Sequence, residues 1–265
     1  GNVLKELGEF KEAEKYFQKA INLNPKFVKV HSNLGNLLKE MGKSKEAEYH
    51  LRKAITLKPE LSEAHHNLSL LLLKNKRFKE GWNKYEWRWK VANLGFGKKQ
   101  KLVTSKPEWD DNKNGRVLLW GEQGIGDEIL FASLIPEFQK KVDQLILKVD
   151  KRLIPLFKRS FDKKIIYIDH FNNIEEEQYD YQIAMGSLPK FLRNREESFI
   201  KAKRAFLKAD QIKTRTFRNN LSKSKCKKII GISWKSDSTI NTQKTLALEE
   251  FILGIYSPNL CFVNL

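Results

Sequence analysis

The residues best placed to do chemistry lie in one glycine-rich loop, Gly121-Glu122-Gln123-Gly124-Ile125-Gly126-Asp127-Glu128. Gly124 and Gly126 let backbone N–H groups approach a ligand closely, and a helix beginning near Asp127 favours an anion at its N-terminus. The loop departs from the GxGxxG fingerprint and lacks the Lys-Ser/Thr ending of a P-loop, so it does not specify a dinucleotide or ATP. Asp127 is open to two readings. Asp is a preferred helix N-cap residue. A carboxylate at the carboxyl end of a strand in an open α/β sheet is also well placed to deprotonate an acceptor hydroxyl. The spacing alone favours the cap.

Such a loop needs a sheet behind it. Val117-Leu118-Leu119-Trp120, Leu145-Ile146-Leu147-Lys148-Val149, Ile165-Ile166-Tyr167-Ile168 and Tyr181-Gln182-Ile183-Ala184 are short apolar runs separated by helical stretches. Nearly continuous apolar runs alternating with helices predict a parallel sheet covered on both faces, a doubly wound α/β domain over 116–200. Before it, 91–115 reads as a linker, marked by Gly95, Gly97, Pro107, Asn112 and Asn114. After it, the basic segment 201–227 reads as a helix plus linker.

The first 90 residues obey a different rule. Gly8 and Gly42, Ala13 and Ala47, Ala20 and Ala54, and Pro25 and Pro59 are each 34 residues apart, the tetratricopeptide period. Small residues admit a close second helix, with Tyr16 and Phe17 filling the space beside them; Pro25 ends the helix and the glycines allow the turn. Leu34, Leu37, Leu38 and Met41, then Leu68, Leu71 and Leu72, form the apolar stripe of the first helices. Helix pairs of this kind must stack, and the groove they make receives a peptide or partner protein. Asn33, Asn36 and Asn67 lie on those first helices. They are either a ladder of amides for a peptide backbone or simply exposed polar residues. In the third unit Gly81 stands where Ala is expected, followed by Trp82, Tyr85, Trp87 and Trp89. Such a cluster either stacks bases or, as the end of a repeat array favours, caps the solenoid against the next domain.

Taken together, Gly81-Trp82, Tyr85-Glu86-Trp87-Arg88-Trp89, Trp109-Asp110 and Leu118 through Asp127 resemble bacterial tetratricopeptide proteins fused to a glycosyltransferase-like domain. That domain is similar to the heptosyltransferases and, more distantly, to the O-linked N-acetylglucosamine transferases. The resemblance runs through most of the chain and is most specific in the central loop. It implies a GT-B architecture of two Rossmann-like halves, a nucleotide sugar as substrate, no other cofactor and no required metal. It implies Asp127 as catalytic base. The second half would begin at Lys228 and run over 228–265, with Trp234 and Lys235 near the donor phosphates, beside Gly124 and Gly126 of the first half. Lys244 falls where the family often has a cation for the leaving diphosphate, though a Lys in such a polar stretch equally reads as a solvated loop. Because a GT-B fold needs most of its second half, residues 1–265 read as an inactive fragment of a glycosyltransferase. The competing reading is an interaction scaffold whose repeats bind a partner beside a non-catalytic α/β part.

Bulk properties narrow the field further. A length of 265 residues allows two domains of ordinary size, and 40% hydrophobic with 31% charged residues describes a well-solvated chain. The net charge of +18 is mostly Lys spread along the sequence, without zinc-finger spacing or an aromatic RNP-like motif, so a nucleic-acid partner is not indicated. Cys226 and Cys261 have no CxxC partner, and His31, His50, His65, His66 and His170 form no metal-ligand pattern. No apolar run is long enough to span a membrane and no leader is visible, which together with sparse cysteine reads as cytoplasmic.

Overall fold

Small residues spaced 34 apart set how closely the N-terminal helices pack. In the computed structural model, which describes residues 1–91, 101–200, 205–221, 228–232, 247–255 and 260–264, helices α1 (Asn2–Glu6) and α2 (Phe10–Leu23), α3 (Val28–Glu40) and α4 (Ser44–Leu57), and α5 (Ser62–Lys74) and α6 (Phe78–Tyr85) form three successive pairs. Ala13, Ala47 and Ala54 are fully buried, and a Cβ on Gly81 would sit 2.7 Å from Leu73 Cδ2. Gly81 therefore keeps the close approach that Ala gives in the earlier pairs. Leu34, Leu37, Leu38, Leu68, Leu71 and Leu72 form the core of the stack together with Phe17. Tyr16 does not join them: it is half exposed, with Lys19 Nζ over its ring. Consecutive residues on a helix point about 100° apart, and only Phe17 falls on the inner face.

The turns between paired helices need a left-handed residue, and Gly8 and Gly42 both have φ +80°. The equivalent position in the third pair is Lys76, at φ 61°. Two histidines at equivalent positions tie the helices sideways. Nε2 of His31 donates to the Pro25 carbonyl at 3.0 Å, leaving its Nδ1 to accept from His50; His65 likewise bonds Pro59 and meets Lys84 Nζ at 3.1 Å.

His66 is buried, with its Nδ1 unpartnered among the described residues, and burial, with Lys39 and Arg88 adding to it, pushes its pKa down to about 4. An unfolded His titrates near about 6.5. The folded value lies below the unfolded one, so the neutral ring is the native form. Stability is then full above about pH 6.5 and falls as the pH drops toward 4, because the unfolded chain takes up the proton first. The expected loss is up to about 3 kcal/mol. Urea unfolding of wild type and His66→Gln between pH 7 and pH 4.5 checks it: the wild type should weaken more steeply than the variant.

The chain leaves the repeats through a 3-10 turn, Glu86–Lys90, and enters a four-stranded sheet. Strands β1 (Arg116–Trp120), β2 (Gln144–Val149), β3 (Ile166–Asp169) and β4 (Tyr181–Ala184) are all parallel, in the order β3-β2-β1-β4. The chain builds outward from β1 to β3 and then returns to the other side of β1. Alternation along β1 divides two cores. Val117 and Leu119 face a cluster completed by Trp109, Phe131, Phe138, Phe157, Leu188 and Leu192, contributed largely by helices α7 (Ile125–Ala132), α8 (Ile135–Phe138), α9 (Ile154–Ser160) and α10 (Pro189–Leu192). Leu118 and Trp120 face the other way, against Tyr179, and are met by Trp89 of the 3-10 turn, Leu102 and Ile174. This second face is thus covered by the repeat terminus and by extended chain. Within 101–115, Trp109 N–H donates to the Gln182 carbonyl and Gln182 N–H to the Pro107 carbonyl, so the segment pairs along β4.

Repeats and sheet belong to one unit, Gly1–Lys208; a second unit is Ala209–Leu265. In the second, α11 (Gln211–Leu221) precedes β5 (Lys228–Ile232), α12 (Leu248–Leu253) and β6 (Leu260–Asn264), with β5 and β6 parallel. Among the described residues no helix is long and apolar enough to cross a membrane.

Candidate functional site

A cleft of about 480 Å³ opens at the carboxyl ends of β1, β2 and β3, where open parallel sheets bind ligands. Trp120, Gly121 and Glu122 come from the end of β1, Lys148, Asp150 and Arg152 from β2 and its following turn, and His170 and Phe171 from the end of β3; Leu102 completes the wall.

Buried carboxylates hold this wall in place. Glu122, 2% exposed, accepts from Arg88 Nη2 at 3.1 Å, from Gly186 N–H at 3.1 Å and from Gln123 Nε2 at 3.0 Å. Arg88 is fully buried; it also donates to Glu86 at 2.6 Å and to Ser187 Oγ at 2.8 Å, and its guanidinium lies over the rings of Tyr85 and Trp89. The 3-10 turn ending the repeats thereby reaches into the rim of the cleft. Aromatic contacts follow the same path: Trp82 Nε1 donates to the Arg193 carbonyl at 2.9 Å, Tyr85 bonds Gln123, Trp87 stacks on His65 at 3.8 Å, and Trp89 meets Trp120 at 5.5 Å.

Glu128 is the second buried carboxylate, 1% exposed. It accepts from His170 Nε2 at 2.7 Å and from the Asp150 N–H at 3.0 Å, linking α7 to the ends of β2 and β3. A Cβ on Gly121 would lie 2.7 Å from the Glu128 carboxyl, so glycine is what lets that carboxylate in. The Asp150 carboxyl is held well below the usual carboxylate range by hydrogen bonds from the Arg152 side chain and backbone. Burial lowers the pKa of Lys148, opposed by the nearby Asp169, one of whose oxygens is buried without a partner among the described residues.

The residues expected from the sequence fall in different places. Helix α7 begins at Ile125 with Gly124 as its N-cap, so Asp127 is the third residue of the helix rather than its cap. Its carboxylate accepts from the Gly124 N–H at 3.2 Å, occupying a donor that an anionic ligand would otherwise use. Gly126 is exposed with open space about it. Gly124, Gly126 and Asp127 lie together at this helix start, and none of them lines the cleft. Cys226, Trp234, Lys235 and Lys244 lie outside the described residues.

On the repeats, Asn33 and Asn67 are half-buried and engaged across neighbouring units. Asn33 Nδ2 donates to Asn2 Oδ1 at 3.0 Å, and Lys39 Nζ donates to Asn67 Oδ1 at 3.1 Å. Asn36 bonds Glu40 within its own helix at 3.3 Å. Lys39 is surrounded by Glu40, Lys5 and Lys74, and burial lowers its pKa. Residues of α1, α3 and α5 thus bring amides and cations to one set of first helices.

A model described as TPR repeat matches residues 1–42, and one described as tetratricopeptide repeat matches residues 28–61. The helices within residues 1–61 are tetratricopeptide repeats. Protein FlbA of Caulobacter vibrioides is 28% identical to this chain over 212 residues, 71% of this chain and 34% of FlbA. The chain therefore spans about a third of the length of that curated relative. Solved structures similar to it include MamA (22% identity, TM-score 0.32, covering 34% of this chain and 53% of MamA) and YrrB, a TPR protein described as having an unusual peptide-binding site (20% identity, TM-score 0.33, covering 36% and 48%). The first TPR of Spaghetti, bound to an HSP90 peptide, is 18% identical with a TM-score of 0.34, covering 36% of this chain and 75% of that one.

Glu122, Glu128, Lys148 and His170 were missed in the sequence as site residues. One signal existed for three of them: Glu122, Lys148 and His170 lie at or just after the end of an apolar strand, the position from which open sheets present side chains to ligands, whereas Glu128 lies within α7. Arg88 had a weaker signal, a cation between two tryptophans.

Proposed function

We propose that this protein binds an extended segment of a partner protein along the first helices of its repeats, and that its α/β region is the acceptor-side half of a transferase using a nucleotide sugar. The observation that carries this reading is the Arg88–Glu122 joint. Arg88 belongs to the turn that ends the repeats, and Glu122 is a wall of the cleft, so groove and cleft are fixed within one unit. A fixed geometry is what presentation of a bound acceptor requires. Asn33, Asn36 and Asn67 supply amides for a peptide backbone, and Lys5, Lys39 and Lys74 favour acidic side chains or a terminal carboxylate on the segment.

The resemblance of the central loop to heptosyltransferase-like domains supports the transferase half, with donor contacts assigned to Gly124, Gly126, Trp234, Lys235 and Lys244. The Lys-bearing cleft at the strand ends supports it independently. Two measurements on the full-length protein test the proposal. Binding to an array of extended peptides should be lost by about tenfold or more in Asn33→Ala/Asn67→Ala, as expected for removing two hydrogen bonds to a peptide backbone. Incubation with a panel of nucleoside mono- and diphosphate sugars should give a glycosylated product. Peptide binding without transfer from any donor leaves the scaffold reading in its place; no peptide binding contradicts the groove.

A further inference from the structure

The cleft holds a histidine whose surroundings prepare it for proton transfer. His170 Nε2 lies 2.7 Å from the Glu128 carboxylate, and Glu128 is buried, so the proton of a neutral ring is drawn to Nε2. Nδ1 is then a free acceptor: it has no hydrogen bond among the described residues, and it is not among the buried unpartnered atoms, while the ring lines the cleft. Glu128 is itself fixed by the Asp150 N–H. Base, orienting carboxylate and a support for that carboxylate are the parts that general-base activation of a nucleophile requires.

The cleft also indicates what kind of molecule it takes. Arg152 is ion-paired with Asp150 and Glu122 with Arg88, and the nearby Asp169 partly offsets the remaining cation, Lys148, so the walls carry no strong net field. Trp120 and the 88% exposed Phe171 add apolar faces. Paired charges beside aromatic surfaces suit a neutral polyhydroxy ring, whose hydroxyls bond the polar groups and whose C–H faces lie on the aromatic rings.

We propose that the cleft binds the hydroxyl-bearing acceptor as a sugar or glycosylated residue, and that His170, oriented by Glu128, is the base that activates it. The proposal rests on the transferase reading above and places the base at His170 rather than Asp127, whose carboxylate is engaged with Gly124. In the step, Nδ1 takes the acceptor hydroxyl proton as that oxygen bonds the anomeric carbon of the nucleotide sugar. The bond from that carbon to the leaving phosphate oxygen breaks, and its electron pair departs with the nucleotide. The imidazolium that results is stabilised by Glu128, which acts as a positioning residue.

Two readouts on the full-length protein decide it. Long-range ¹H–¹⁵N spectra of histidine-labelled protein, assigned with His170→Asn, should show neutral His170 protonated at Nε2, and Glu128→Gln should move the proton to Nδ1, because the Gln amide can donate to Nε2. Methyl glycosides of glucose, galactose, mannose and N-acetylglucosamine, added at millimolar concentration, should shift the His170 signal. In transfer assays His170→Asn should lower kcat by about 10²–10⁴-fold, the size of a general-base contribution. A wild-type ring protonated at Nδ1, no shift with any glycoside, or full transfer by His170→Asn overturns the proposal. If the wild type transfers from no donor, the transferase reading fails, and the spectra still decide whether Nδ1 stands free in a sugar-binding cleft.

Discussion

Replacing Arg88 with methionine should lower the unfolding free energy by about 3–5 kcal/mol, the cost of leaving a buried charge without its partner. Arg88 is fully buried and Glu122 is 2% exposed. Without the guanidinium, the Glu122 carboxylate keeps only the Gly186 N–H and the Gln123 amide, and Glu86 and Ser187 lose their shared donor. The stacking of the cation on Tyr85 and Trp89 disappears as well. Methionine fills much of the same volume, so the loss is electrostatic rather than a cavity. Combining Arg88→Met with Glu122→Gln should therefore recover a large part of it, since an apolar or neutral replacement of a buried pair is often close to neutral. Urea denaturation measures both; a single-variant loss below about 1 kcal/mol would mean that water reaches the pair.

Trp109→Ala should cost a similar amount, about 3–5 kcal/mol, by a different mechanism. Trp109 is 1% exposed and meets Phe138 and Phe191 edge-on, at 4.9 and 5.2 Å between ring centroids. Its Nε1 donates to the Lys113 carbonyl at 2.7 Å, closing the turn that leads into β1. Truncation removes the largest fully buried side chain in the helix-covered face of the sheet and leaves a cavity that packed neighbours on rigid elements fill poorly. Trp109→Phe keeps most of the ring and should cost less than half as much. Equal losses for Phe and Ala would show that the Lys113 hydrogen bond, not packing, is what matters.

Much of the fold was legible because its signals are local and periodic. The 34-residue recurrence of Gly8 with Gly42 and Ala13 with Ala47 marks positions where backbone conformation or close approach leaves little choice of residue, and the apolar strand runs mark a sheet buried on both faces. The limits are equally physical. Lys76 occupies a left-handed turn that glycine marks in the other repeats, so residue type alone concealed the conformation. Tyr16 and Phe17 are indistinguishable by size, yet the helical twist sends only one inward. The pairs that shape the cleft, Arg88 with Glu122 and Glu128 with His170, join residues 34 and 42 positions apart on different elements. Charge pairing across elements leaves no periodic trace in a single sequence. Asp127 was readable as a helix-start residue, but its exact place, third in the helix and bonded back to Gly124, depends on where the helix begins.

If the groove delivers an acceptor to a cleft held at a fixed position, as proposed above, kcat/KM for sugar transfer to two peptides reveals it most directly. Both peptides carry the same acceptor hydroxyl; one has the groove-binding sequence and the other has it scrambled. The first peptide should have a kcat/KM at least about tenfold higher, expressed through KM, because groove binding raises the effective concentration of the acceptor at the cleft. Equal values for the two peptides would contradict it.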